Sequence, residues 1–243
     1  MTRLYVNTPL ALDTPIALPE DAAHHFVKVL RARPGDAVRL FNGAGGEYHG
    51  VLELADKRGA TVRLDRFLPD DHASPLAVHL GLVLSKGDRF DWAIQKATEL
   101  GVTEITPLFS ERCEVRLGEE RQDKKLGHWQ RVVTSACEQC GLNRVPVVHA
   151  PVALADWLAK ADAERRYVLA PAVEAAALPD ARPASVAILV GPEGGLSEGE
   201  IAAANRADFV SWRLGGRVFR TETAPVAALS VLQWLYGDFR PGA

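Results

Sequence analysis

The sequence predicts an α/β protein: a largely parallel sheet covered by helices, preceded by a small barrel-like β module. Three observations carry this. Residues 1 to about 68 hold short stretches of alternating apolar and polar residues bounded by turn residues. From Leu76 onward, strongly apolar strand-like runs alternate with segments of helical periodicity, the signature of a parallel sheet with crossover helices. Between the two lies "LPDDHASP" (residues 68–75), with two prolines and little apolar content, so the boundary is placed there, with domains at 1–70 and 76–243.

In the first part, strands are expected at Arg3–Val6, Ala37–Phe41, Glu47–Leu54 and Ala60–Phe67. Turns fall at Pro34-Gly35-Asp36 and Asn42-Gly43. Glu20–Leu30 reads as one amphipathic helix. In the second part, Leu76–Leu84 is an apolar strand. Asp88–Leu100 is a helix with Phe90, Ala93, Ile94 and Ala97 on one face and Gly101 as its stop. "EITPLF" is the next strand. A helix from about Glu119 to Cys140 carries the stripe Leu126, Trp129, Val133, Ala136 and Cys140. Short strands follow at Tyr167–Ala170, Ala187–Val190 and Phe209–Leu214. The last helix is Ala224–Tyr236, whose Leu229, Leu232, Trp234 and Leu235 suit either a subunit interface or an intrachain core.

Composition excludes several classes. The 243 residues are 47% hydrophobic and 24% charged, so the chain is neither disordered nor collagenous. A formal net charge of -3 gives no whole-chain support for nucleic-acid binding, which must come from local patches. No apolar run approaches the roughly 18 residues of a spanning helix. The start lacks a secretory pattern and there are three cysteines, so a reducing cytoplasmic compartment is expected. There is no Walker A sequence, no complete GxGxxG and no HExxH. Cys137 and Cys140 form a lone CxxC inside a helix, read as helix-face packing, and no metal site is expected.

Two loops stand out. Val186–Val190 runs into Gly191-Pro192-Glu193-Gly194-Gly195, and Ser197 with Glu200 then makes a capping box at a helix start. Three glycines and a proline at the carboxyl end of a parallel strand favour close approach of a ligand. In the second loop a strand ends at Leu214 and Gly215-Gly216 break it. Arg217, Arg220, Thr221, Glu222 and Thr223 then precede a helix that Thr223 is expected to cap, with Pro225 in its first turn.

"GPEGGLS", "LGGRVFRTETA", "KGDR", "IQKATELGV", "SERC", "ACEQCGLNRVP", "HHFVKVLRARPGD" and "LFNG" together resemble the RsmE family over nearly the whole chain. These are SPOUT-superfamily methyltransferases that methylate ring nitrogen 3 of a uridine in 16S ribosomal RNA. The resemblance implies a PUA-like barrel, an α/β domain with a deep carboxyl-terminal trefoil knot, S-adenosylmethionine as methyl donor and a homodimer. The substrate would be the RNA within the 30S subunit, with neither DNA nor membrane as partner. The donor slot would be lined by Leu169, Ala170, Gly191, Pro192, Glu193, Gly194, Gly195, Leu196, Leu214, Gly215, Val218 and Phe219. Glu222 is the first candidate base, with Glu138 second; Arg220 and then Arg217 would stabilise the uracil anion. The RNA backbone would meet Arg3, Arg31 and Arg33 of the first domain and Lys86, Arg89, Lys96, Arg112, Arg131 and Arg144 of the second. Competing readings are a SPOUT enzyme acting on a ribose 2′-hydroxyl of transfer RNA and a non-catalytic RNA-binding protein. The second leaves both glycine-containing loops without a purpose.

Overall fold

A computed structural model describes residues 1–56, 59–170 and 178–240. Its contacts divide the chain into one unit of Met1–Ala73 with Thr134–Val145, and another of Ser74–Val133 with Pro146–Ala243.

The first unit is a five-stranded sheet in the order β1 (Thr2–Tyr5), β3 (Ala37–Phe41), β4 (Glu47–Asp56), β5 (Gly59–Leu68), β2 (Pro15–Ala17). The β1 and β3 strands run parallel; the other pairs are antiparallel. Alternation decides the buried face: Leu4, Val38, Leu40, Leu52, Val62 and Leu64 point into one core with Phe26. The strand Pro15–Ala17 has only three residues, too few for a period of two to be recognised. The expected single helix over Glu20–Leu30 is instead α1 (Glu20–Ala23) followed by a π-helical turn, His24–Val29. There the Leu30 N–H donates to the His25 carbonyl at 3.0 Å, five residues back. This wider turn keeps Phe26 buried while His24, His25 and Lys28 stay exposed.

Thr134–Val145 contributes a second small cluster, in which Phe41, Cys137 and Leu142 pack with Tyr5 and Val145. Burial pushes the Cys137 thiol up to about 12, which leaves it an inert packing group. Arg3 lies inside this unit, its side chain only 9% exposed. It stacks over Phe41 at 4.5 Å, donates to the Asn143 Oδ1 at 2.7 Å and pairs with the buried Glu47 at 3.5 Å. Glu138 accepts the Tyr5 N–H at 2.8 Å.

The second unit is a parallel sheet in the order β12 (Val210–Trp212), β10 (Arg165–Leu169), β11 (Ser185–Val190), β6 (Ala77–Val83), β7 (Glu104–Phe109), β8 (Val147–Val148), with β9 (Val152–Ala153) also pairing β7. β11 and β6 are covered on both faces, which is why apolar residues dominate both, with His79 the polar exception within β6. The helices of this unit are α2 (Arg89–Glu99), α4 (Leu154–Lys160), α5 (Glu198–Arg206), α6 (Thr223–Leu235) and the part of α3 (Glu119–Cys140) before Thr134. α6 packs on α2, and its buried Gln233 is satisfied by the Leu100 carbonyl at 2.9 Å and the Ser74 hydroxyl at 2.6 Å. No described helix is long and apolar enough to cross a membrane.

Near the amino ends of β6 and β7, His79 sits beside Thr106 at 2.8 Å and accepts the Trp157 indole N–H at 3.2 Å. Indole only donates, so the neutral His79 carries its proton on Nδ1. Gly81 gives the indole room, since a Cβ there would meet the Trp157 ring at 2.6 Å. Glu104 and His149 pair at 2.8 Å close by, and the three groups bring candidate metal-ligand atoms within 4.8 Å of one another. The His79 Nε2 lone pair, however, is already engaged by the indole. Burial lowers the His79 pKa from 6.5; Glu104 opposes this and His149 adds to it. The unfolded chain takes up this proton first, so the stabilisation is present above about 6.5 and is lost as pH falls towards the folded value. Denaturant midpoints should therefore fall from pH 7.5 to 5.5, and His79→Gln should flatten that slope; an unchanged slope would contradict the assignment.

Candidate functional site

The carboxyl ends of three neighbouring strands converge on one cleft of about 850 Å³. Leu169 ends β10, Val190 ends β11 and Trp212 ends β12, and all three line it. Parallel sheets bind ligands at this end, where loops leave the strands with backbone groups free to face a ligand. The volume suits a small organic molecule of nucleoside size or above.

One wall is Gly191–Leu196. Its turn is closed by the Gly195 N–H on the Pro192 carbonyl at 2.8 Å, with Gly195 at φ 68°. Gly191 must lack a side chain, because a Cβ would sit 2.9 Å from the Leu196 Cγ and 3.1 Å from its nitrogen. The loop exits into α5 through the expected capping box. The Glu200 N–H donates to the Ser197 Oγ at 3.1 Å, and the Ser197 N–H to the Glu200 carboxylate at 2.8 Å. The second wall is the segment from Trp212 to Glu222. The Thr221 hydroxyl donates to the Gly191 carbonyl at 3.0 Å and so ties the two loops together.

Leu169, Ala170, Gly191, Pro192, Glu193, Gly194, Gly195, Leu196, Leu214, Val218 and Phe219 all line the cleft, as do Arg217, Arg220 and Glu222. Gly215 belongs to the same loop, at φ 71°, but does not line the cleft; its carbonyl accepts from Arg213 Nε at 2.9 Å. The residues that follow Ala170, from 171 to 177, lie outside the described residues. Trp212, Arg213, Glu198 and Ile201 also line the cleft, beyond the residues expected there from sequence, and so does Thr221. Thr221 belongs to the conspicuous polar run of the second loop, whereas Trp212 looks like an ordinary strand residue.

Glu222 is the N-cap residue of α6, a position expected for Thr223, which is instead the first helical residue. Its side chain makes no capping bond, and its Oε2 is buried without a hydrogen-bond partner. A buried carboxylate oxygen without a protein donor is costly, and this one stands on the wall of the cleft. Arg220 and Arg217 are exposed on the same loop.

The expected RNA contacts are placed differently from one another. Arg89 lines the cleft and pairs with Glu193 at 2.9 Å, while the Lys86 backbone N–H reaches the same carboxylate oxygen at 3.3 Å. Arg112 lines the cleft and donates to the Gly194 carbonyl at 2.9 Å. The Lys86 ammonium pairs with Glu114, Lys96 with Glu99 at 2.7 Å, and Arg144 with Asp71 at 2.6 Å. Arg31, Arg33 and Arg131 are exposed. Arg3 is committed to Glu47, Asn143 and Phe41, as described above.

Residues 72–233 match the family of RNA methyltransferase domains, and residues 18–65 match the RNA methyltransferase PUA domain. The first unit is thus PUA-like. The chain is 35% identical over 240 residues to the ribosomal RNA small subunit methyltransferase E of Buchnera aphidicola subsp. Schizaphis graminum, covering 97% of each. It is 30% identical to the protein of that name from Bacillus subtilis, covering 88% of each. Among solved structures, it superposes on a putative methyltransferase from Legionella pneumophila in complex with the cofactor SAM, with a TM-score of 0.94 and 38% identity over 98% of this chain and 99% of that one. It also superposes on ribosomal RNA small subunit methyltransferase E from Neisseria gonorrhoeae bound to S-adenosyl methionine, with a TM-score of 0.92 and 38% identity over 99% of this chain and all of that one. A cleft at the carboxyl ends of parallel strands, two loops locked by Thr221 and likeness along almost the full length lead to one conclusion: the chain belongs to the ribosomal RNA small subunit methyltransferase E family.

Proposed function

We propose that this protein transfers the methyl group of S-adenosylmethionine to ring nitrogen 3 of a uridine in 16S ribosomal RNA, within the 30S subunit. The observation that carries the reading is the partnerless Glu222 Oε2 on the wall of the cleft formed by the two tied loops. The residues fit the donor. Leu169, Leu214, Val218 and Phe219 offer apolar surface for a purine face, and the glycine-rich turn brings backbone groups close enough to read its edges. Bound there, the donor supplies an electrophilic sulfonium methyl.

The chain's own residues do the rest. Nitrogen 3 lies on the pairing edge of uracil, so the base must be unpaired or flipped out to reach the cleft. Glu222 takes the nitrogen 3 proton as the nitrogen–methyl bond forms and the sulfur–methyl bond breaks. Arg220, with Arg217 beside it, faces the carbonyl oxygen on which the uracil anion gathers charge. Arg31, Arg33 and Arg131 meet phosphates, which fix register without reading sequence. Arg3 has no part in this, being enclosed by its own unit.

We also infer a deep trefoil knot. Its support is the strand order β12-β10-β11-β6, which sets the last strands beside earlier ones, and the Thr221 bond joining two loops far apart in sequence. We infer a homodimer as well. Leu229 and Leu232 are fully buried within the chain, whereas Trp234 on α6 is 51% exposed and is left for a partner copy. A ribosomal substrate sets the compartment as the cytoplasm.

The test is nucleoside analysis of 16S ribosomal RNA from a strain deleted for this gene, with and without the protein restored. Loss and recovery of 3-methyluridine alone is expected. Unchanged 3-methyluridine, or loss of a 2′-O-methyl nucleoside instead, would overturn the assignment.

A further inference from the structure

We propose that Arg112 is a positioning residue for the methyl donor and not a phosphate contact; this rests on the proposed donor cleft. The guanidinium Nη1 donates to the Gly194 carbonyl at 2.9 Å and lies 3.5 Å from the Leu196 carbonyl. The aliphatic stem supports the same turn, since a Cβ on Gly194 would stand 3.4 Å from the Arg112 Cβ. One side chain thus grips the second half of the glycine-rich wall by its backbone.

The backbone that carries Arg112 is fixed on either side. The Glu111 N–H donates to Glu200 Oε1 at 2.8 Å, and the other oxygen of that buried carboxylate accepts the Ser197 N–H at 2.8 Å. Glu200 therefore joins residue 111 to the point where the turn enters α5. On the other side, the buried Cys113 thiol donates to the Leu84 carbonyl at 3.4 Å, just after β6. Held between these anchors, the guanidinium is already oriented before any ligand arrives.

Two further carbonyls of the same turn are engaged: Gly191 by Thr221 and Pro192 by the Gly195 N–H. Because the peptide unit is planar, fixing a carbonyl fixes the following N–H as well. Arg112 sets the Gly194–Gly195 and Leu196–Ser197 planes, and hence the shape of the wall. A phosphate that recruited this guanidinium would release the turn, so holding RNA there would work against holding the donor. Arg89 also reaches the turn through Glu193, but that pair joins two side chains and leaves the backbone free.

The experiment compares Arg112→Ala and Arg112→Lys with the parent protein. Calorimetry with S-adenosylmethionine measures donor affinity, hydrogen exchange in the unliganded protein follows the backbone amides from Glu193 to Ser197, and steady-state kinetics use 30S subunits. Arg112→Ala should weaken donor affinity about ten-fold, as for losing a charged hydrogen bond. It should speed exchange in the turn and raise the KM for the donor far more than it changes kcat. Arg112→Lys, able to reach one carbonyl, should recover part of each. The proposal is overturned if donor affinity and turn exchange both stay at the parent values in Arg112→Ala. It is equally overturned if the KM for 30S subunits rises while donor affinity holds. Failure of the parent protein itself to bind the donor would count against the proposed function, and loop exchange would still judge the clamp.

Discussion

Glu222→Gln is expected to lower kcat for methyl transfer by about two to four orders of magnitude, the usual contribution of a positioned general base, while donor affinity changes less than about three-fold. The substitution keeps the size and planarity of the side chain and removes its ability to accept a proton. Glu222 stands at the N-cap of α6 but spends neither oxygen on capping, so the change leaves the helix start intact. Its Oε2 is buried without a protein donor, which leaves it able to take the proton that the proposed function assigns to it. Glu138, the other carboxylate considered, already accepts the Tyr5 N–H in the first unit. Single-turnover methylation with saturating donor checks this, with calorimetry as control. Near-parental turnover at unchanged donor affinity would remove Glu222 from the reaction and leave the arginines as the remaining catalytic groups.

Arg3→Met should cost the first unit about 1–2 kcal/mol, the range for removing a charged hydrogen-bond donor from buried acceptors. Glu47 is 4% exposed, and Arg3 is one of three groups compensating it, with Arg39 at 3.3 Å and His49 at 2.7 Å. The substitution also leaves the Asn143 Oδ1 without its 2.7 Å donor. Methionine preserves much of the packing on Phe41, so the loss reports charge and hydrogen bonding more than a cavity. Urea unfolding monitored by a probe in the first unit measures it. A loss below about 0.5 kcal/mol would contradict the structural role, and intact stability with weakened RNA binding would restore Arg3 to the RNA surface.

Arg3 also shows where the sequence stops being informative. Its burial depends on Glu47, Phe41 and Asn143, and Asn143 is 140 residues away. No local pattern distinguishes such an arginine from a solvated one, because the partners are supplied by the fold. Local signals succeeded where the physics is local. Ser197 and Glu200 stand three residues apart, and the structure forms both reciprocal bonds. The strand Ala37–Phe41, the strand Glu104–Phe109 and the helix Glu119–Cys140 have the bounds their periodicity implies. Over Glu20–Leu30 the apolar spacing is compatible with either a 3.6-residue or a wider turn, so the π-helical segment after Ala23 could not be separated from an ordinary helix. The helix Leu154–Lys160 and the two-residue strands before it are too short to show a period. At the cleft, the glycines and the charged run of the second loop are conspicuous in the sequence. That the two loops meet, through Thr221 and Gly191, is a tertiary fact that only the resemblance anticipated.

The most direct measurement is a crystal structure of this protein with S-adenosylmethionine. The account predicts adenine between the Gly191–Leu196 turn and the Leu214–Phe219 segment, with the sulfonium methyl turned towards Glu222 and Arg220. Donor density anywhere else on the protein, or a methyl facing away from the Glu222 carboxylate, would contradict it.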